Sequence, residues 1–198
     1  GAKITLKNGV HVVITTANGH FLNKKSGKIL VKNDGTVTLR GNWINNSDNT
    51  AIATNDGTVL MDGDLQKIQG SKSTSFNNLE IAGTAQKILE VNTLVGGGNP
   101  GPKNGVLKLT DRILNLNSNR LLINNNNPKG ITRSTGYLFA ETTPALGYGT
   151  VQWNVRKAGW GSVYSVPFAN IDGDLIPFGY SITTSGRQIL DSGFFEVS

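Results

Sequence analysis

The segment Gly35-Thr36-Val37-Thr38-Leu39-Arg40-Gly41 returns about two dozen residues later as Gly57-Thr58-Val59-Leu60-Met61-Asp62-Gly63. A repeat of that length marks a stacked array, in which each unit is too small to bury its own apolar face and must lie on its neighbour. In register, Val37 lies over Val59 and Leu39 over Met61, which makes a continuous apolar ladder. An antiparallel sandwich is the other arrangement open to short strands, but it wants a strand every 8–12 residues or so, joined by tight turns. The duplicated text fits the array better. The expected fold is all-β: a parallel β-solenoid, taken as a right-handed β-helix, followed by an aromatic-rich antiparallel β unit.

Strand and turn signals agree. Ile4 to Lys7 ends at Asn8-Gly9, Val10 to Thr16 at Ala17-Asn18-Gly19, and Lys28 to Val31 at Asn33-Asp34-Gly35. Thr36–Leu39, Thr58–Met61 and Leu79–Ile81 each run into a glycine. These runs are rich in Val, Ile, Leu and Thr, as half-buried strands are. Asn at turns tolerates the left-handed conformation that coil corners need. After the loop Val95–Pro102, stacking is expected to resume in Val106–Leu109, Ile113–Leu116 and Leu121–Ile123, with a corner at Asn124–Pro128. From Gly130 onward the aromatics concentrate, so the chain is expected to divide into a solenoid region at 1–129 and an aromatic-rich β unit at 130–198.

Composition narrows the functions. The apolar fraction is 37% and the charged fraction 16%, both low for a globular domain. Cysteine is absent, which excludes thiol catalysis and cysteine-ligated metals. No apolar run approaches the roughly 20 residues that a membrane helix needs, so no transmembrane segment is expected. With neither a signal peptide nor an initiator Met, the chain is expected to be a mature or excised fragment of something longer. The net charge is +6, but only Lys24, Lys25 and Lys28 group tightly. A nucleic-acid surface wants a denser patch with stacking aromatics, so no nucleic-acid partner is expected. Lysines on exposed strands more simply discourage sheet-to-sheet pairing.

Several segments resemble a known family. Gly41-Asn42-Trp43-Ile44-Asn45-Asn46 resembles the "G-x-W-x-N-N" unit of very large surface proteins from Bacteroidota. Gly57–Gly63, Gln66–Gly70 and Thr74–Ile81 are similar to the "GTVxFxG", "QxIxG" and "TxFxNLxI" units that follow it there. Ile131–Tyr137, Gly147–Trp153 and Val163–Phe168 are similar to the segment that often comes next. The order of these motifs is more specific than any one of them. The resemblance implies an exported, repeat-rich, adhesin-like protein that is secreted or at the cell surface, associated with type IX secretion and gliding motility, with a solenoid repeat region. That family normally ends in a sorting domain for which this chain has no counterpart, in keeping with a fragment.

Candidate chemistry is sparse. The two histidines, His11 and His20, have no carboxylate close in sequence and make a poor metal site. No Gly-x-Ser-x-Gly elbow is present. Asp62 with Asp64, and Asp172 with Asp174, are carboxylates two residues apart, as a glycosidase pair on one strand face would be. Each pair flanks a glycine, so an Asp-Gly-Asp turn is the simpler reading. Asn170, Asp172 and Asp174 supply oxygens suited to Ca²⁺, although no complete EF-hand loop is formed. Apart from Ca²⁺ no cofactor is expected. Trp43, Trp153 and Trp160 would make a sugar-stacking platform if exposed. Trp43 sits inside the repeat text and reads as core or end cap; Trp160, between two glycines, is the candidate ligand contact.

The expected function is a non-catalytic structural or adhesive segment, a stiff stalk with a capping or contact module. Its partners would be a surface glycan or another cell-surface component, and by resemblance the type IX secretion machinery. The alternatives are a carbohydrate-active β-helix enzyme, a polysaccharide lyase or hydrolase, and a glycan-binding module.

Overall fold

The computed structural model describes residues 3–6, 11–14, 19–25, 28–31, 35–47, 57–97, 104–141, 147–156, 161–181 and 192–198. Three parallel sheets run along the molecule, and the chain visits them in turn. The first stacks β2 (His11–Ile14), β5 (Thr36–Leu39), β7 (Thr58–Met61), β10 (Asn78–Ile81), β13 (Leu107–Leu109) and β16 (Ile131–Arg133). The second stacks β3 (Phe21–Lys25), β6 (Trp43–Ser47), β8 (Gln66–Gly70), β11 (Lys87–Leu89), β14 (Ile113–Asn115) and β17 (Tyr137–Phe139). The third stacks β9 (Thr74–Phe76), β12 (Thr93–Val95), β15 (Arg120–Ile123) and β18 (Thr150–Arg156). A short parallel pair, β1 (Lys3–Leu6) with β4 (Lys28–Val31), lies among the first coils in chain order. This is the expected all-β parallel solenoid.

The duplicated segment behaves as its text implies. Val37 pairs with Val59 and Leu39 with Met61, and the Thr58 amide donates to the Gly35 carbonyl at 2.9 Å. The column continues through Leu79, Leu107 and Ile131 on one row, and through Ile81 and Leu109 on the other. All of these side chains are buried. Alternation along each strand explains why: β5, β7 and β10 each place every second residue inward. The third sheet adds the column Phe76, Val95, Ile123 and Trp153. No single coil encloses a core, so burial exists only between neighbours.

Parallel stacking runs past residue 130. β16, β17 and β18 complete one further coil on β13, β14 and β15. The aromatic-rich segment therefore lays down a coil before it turns antiparallel, because its first strands continue the aliphatic columns through Ile131, Leu138 and Val151. The antiparallel unit follows. β21 (Ser192–Val197) lies on β18, and β19 (Val163–Val166) pairs with β20 (Phe178–Ser181). Phe168 bridges to Leu138 at the edge of the second sheet. Two of the three sheets are thus covered at this end, which blunts edges that would otherwise template further pairing. Among the described residues no helix is long and apolar enough to cross a membrane.

Candidate functional site

The aromatic residues divide into buried and exposed sets. Trp43 is fully buried, stacks on Phe21 with ring centroids 4.2 Å apart, and meets Phe76 edge-on at 4.9 Å. Its indole N–H donates to Thr74 Oγ1 at 3.0 Å. Trp153 is also fully buried; its N–H donates to the Asn125 carbonyl at 2.7 Å, and its ring meets Tyr164 edge-on at 5.2 Å. Neither can stack on a sugar. Both sit inside because a large ring fills the coil interior while its one polar atom finds a hydrogen-bond partner there. Burial, and secondarily Tyr180, push the Tyr164 hydroxyl above its ordinary pKa, and that hydroxyl donates to the Asn126 carbonyl at 2.6 Å. Trp160 lies outside the described residues.

The Asn170–Asp174 segment is a self-capped turn. Asn170 Oδ1 accepts from the amides of Asp172 at 3.1 Å and Asp174 at 2.8 Å. Asn170 Nδ2 donates to Asp174 Oδ2 at 3.2 Å. Gly173, at φ +88°, closes the bend. The amide oxygen that a cation would use thus already serves two backbone N–H groups. Among the described residues no three or more His, Asp or Glu side chains are gathered to hold a metal. His20 is exposed at its turn, and its Nδ1 accepts from the Asn42 amide of the next coil at 2.8 Å. The His11 side chain lies outside the description.

Asp62 and Asp64 lie in the corner between β7 and β8, not on a strand. Asp62 pairs with Arg40 at 3.7 Å, and Asp64 accepts from the Thr84 hydroxyl at 3.2 Å. With Asp111 from a later coil they line one side of a shallow groove over successive corners. Coil stacking, not sequence proximity, assembles it.

Behind this groove is a residue that the sequence reading passed over. Lys87 is fully buried, and its Nζ donates to the carbonyls of Gly63, Asp64 and Ala85, each at 2.8 Å. Its pKa is lowered to about 8, by burial first and then by Arg112, against the opposing pull of Asp64, Asp62 and Asp111. The coil before it uses Gln66 in the equivalent place: Nε2 donates to the carbonyls of Leu39 at 2.8 Å and Gly41 at 2.6 Å. The available signal was misleading. Gln66-Lys67-Ile68 recurs as Gln86-Lys87-Ile88, and aligning those triplets turns Lys87 outward. The structure pairs Lys87 with Gln66 instead, one residue out of step, so Leu89 lies over Ile68. A one-residue slip exchanges the two faces of a strand.

A second concavity lies at the capped end. A cleft of about 380 Å³ has Ala140, Phe168 and Ala169 among its lining and Tyr148, Ile176 and Phe178 at its rim. Tyr148 is 60% exposed and Ile176 58%. Glu141, also exposed, is the one carboxylate among its lining side chains. Ile171 and Leu175, in the same stretch of chain, are exposed as well. Comparison of the chain with protein-family models, with curated proteins and with solved structures finds no match.

Proposed function

We propose that this chain is a non-catalytic structural and adhesive segment of a large exported cell-surface protein, a stiff stalk of stacked coils ending in a capping and contact unit. The observation that carries the reading is the unbroken inter-coil register, from Val37 through Val59, Leu79 and Leu107 to Ile131. From the coil of β7, β8 and β9 onward, each coil is tied to the next by backbone ladders on three sheets, so bending that part of the rod strains all three together. The order of motifs supports a Bacteroidota surface protein exported through the type IX route, where a stalk presents its distal unit to a glycan or another surface component. Beads coated with the chain should adhere to a glycan array or to a target cell surface. Absence of adhesion at saturating coating would remove the adhesive part of the reading.

A second reading, a carbohydrate-active β-helix enzyme, is favoured by one observation: Arg40, Asp62, Asp64 and Asp111 share a groove across stacked corners. Incubation with acidic polysaccharides, followed by assay of reducing and unsaturated ends, separates the two. Turnover that disappears in Asp62→Ala or Asp64→Ala would replace the stalk reading with the enzymatic one.

A further inference from the structure

The two ends of the chain differ in charge. The first 32 residues hold six lysines and no acidic residue, whereas residues 161–198 hold four acidic residues and one arginine. Each end also exposes apolar side chains. At the N-terminal end these include Leu22 on β3, which is 47% exposed. Leu22 and the exposed Lys24 are two residues apart on one strand, so both project from its outer face, about 6.6 Å apart along it. Among the described residues β3 is the outermost strand of its sheet. The capped end offers the counterpart: an apolar cleft, with Phe168 and Ala140 in its lining and Tyr148, Ile176 and Phe178 at its rim, beside the Glu141 carboxylate. Among the described residues no ion-pair partner of Glu141 is found.

We propose that the cleft at the capped end receives the outer face of β3 from a second copy of this chain, with Leu22 entering the apolar space and Lys24 pairing with Glu141. Three features select this occupant over a sugar or an acidic partner. The cleft is lined mainly by hydrocarbon and offers few hydrogen-bonding side chains for hydroxyls. Its one charged lining side chain is negative, on a chain whose net charge is +6. The complementary pair of an aliphatic and a cationic side chain is displayed by the same molecule at its opposite end. Socket and knob are different surfaces, so the contact is heterologous and propagates head to tail instead of closing as a dimer. It is small and carried partly by exposed charge, so it is weak and salt-sensitive. It does not depend on what the stalk adheres to.

Sedimentation velocity of the whole chain over a concentration series tests this at about 20 mM and about 500 mM NaCl, where the screening length falls severalfold. The wild type should form a distribution that extends beyond the dimer at low salt and shrinks at high salt. Lys24→Glu and Glu141→Lys should each weaken association about fivefold or more, since an exposed attraction becomes a repulsion. The chain carrying both changes should regain wild-type association, because every swapped knob then meets a swapped socket. Leu22→Ser should weaken association at both salt concentrations. Far-UV circular dichroism confirms that each variant keeps its fold; both charged sites are exposed. The proposal is overturned by a wild type that stays monomeric throughout, by a discrete dimer, by single variants that associate like wild type, by a double variant no better than the singles, or by an unaffected Leu22→Ser chain.

Discussion

Lys87 shows what one residue can cost and hold. Its ammonium ties three carbonyls at a coil corner, yet burial disfavours its charge and brings its pKa down to about 8 from 10.5. Between those two values the unfolded chain binds the proton and the folded chain releases it. Stability therefore rises with pH across that window; below about pH 8 both states are protonated and this group adds no slope. Urea titrations at pH 7.5 and pH 10 should show wild type gaining relative to Lys87→Met, which has no such group. An unchanged difference between the two proteins would refute the burial effect. Gly83 makes a different residue-level demand. At φ +96° it occupies a left-handed conformation, and an added Cβ would run into the Gly63 carbonyl oxygen of the coil beneath. Gly83→Ala should lower the melting temperature, by roughly 1–3 kcal/mol of strain, where an alanine at exposed Thr84 should not.

At the scale of the element, each strand is short and owes its stability to the strands above and below. Leu79 sits between Val59 and Leu107 with no exposure. Leu79→Ala should cost about 2–5 kcal/mol in chemical denaturation, and the loss should be felt by both flanking coils. Native-state hydrogen exchange checks this: amides of β7 and β13 should lose protection along with those of β10. Thr36–Leu39 was legible from its period-2 alternation and closing glycine, and Thr58–Met61 from its likeness to that segment and the glycine that closes it. The second sheet was harder to read. Phe21–Lys25 and Gln66–Gly70 are polar and rich in Asn, Gln and Lys, so neither alternation nor β-propensity marks them. They are strands because their neighbours are, and Asn23 bonding to Asn45 at 3.3 Å shows the kind of interior contact that such text permits.

At the scale of the whole molecule, the stack is a ladder blunted at its C-terminal end. β21 satisfies β18 along its length, from Val151 opposite Val197 to Arg156 opposite Ser192. A chain truncated before Ser192 would leave that edge open beside an apolar cleft, and it should aggregate during concentration at a salt level where the full chain remains clear by light scattering. Equal solubility of the two would show that the capping strand has no such role. The Asn170–Asp174 turn, the buried Trp43 and Trp153, and the rim of Tyr148, Ile176 and Phe178 also belong to this scale, since coil stacking decides which side chains face solvent.

The amino-acid sequence by itself determined that strands would stack in parallel, because a short segment repeated at coil length can bury Val37 and Leu39 only beneath copies of themselves, Val59 and Met61. It also carried the aromatic shift that marks the far end. Tertiary structure alone decided the register between β8 and β11, and with it the fate of Lys87. The repeated Gln-Lys-Ile text favours one alignment, but seating Leu89 over Ile68 required the other, and three carbonyls were placed to satisfy the amine that came inside. The cleft at the capped end was likewise invisible beforehand, since Ala140, Phe168, Ile176 and Val197 become neighbours only when the chain turns back over its last coil. Local pattern fixes which face of a strand is apolar, whereas the choice between neighbouring registers rests on the summed fit of all coils at once.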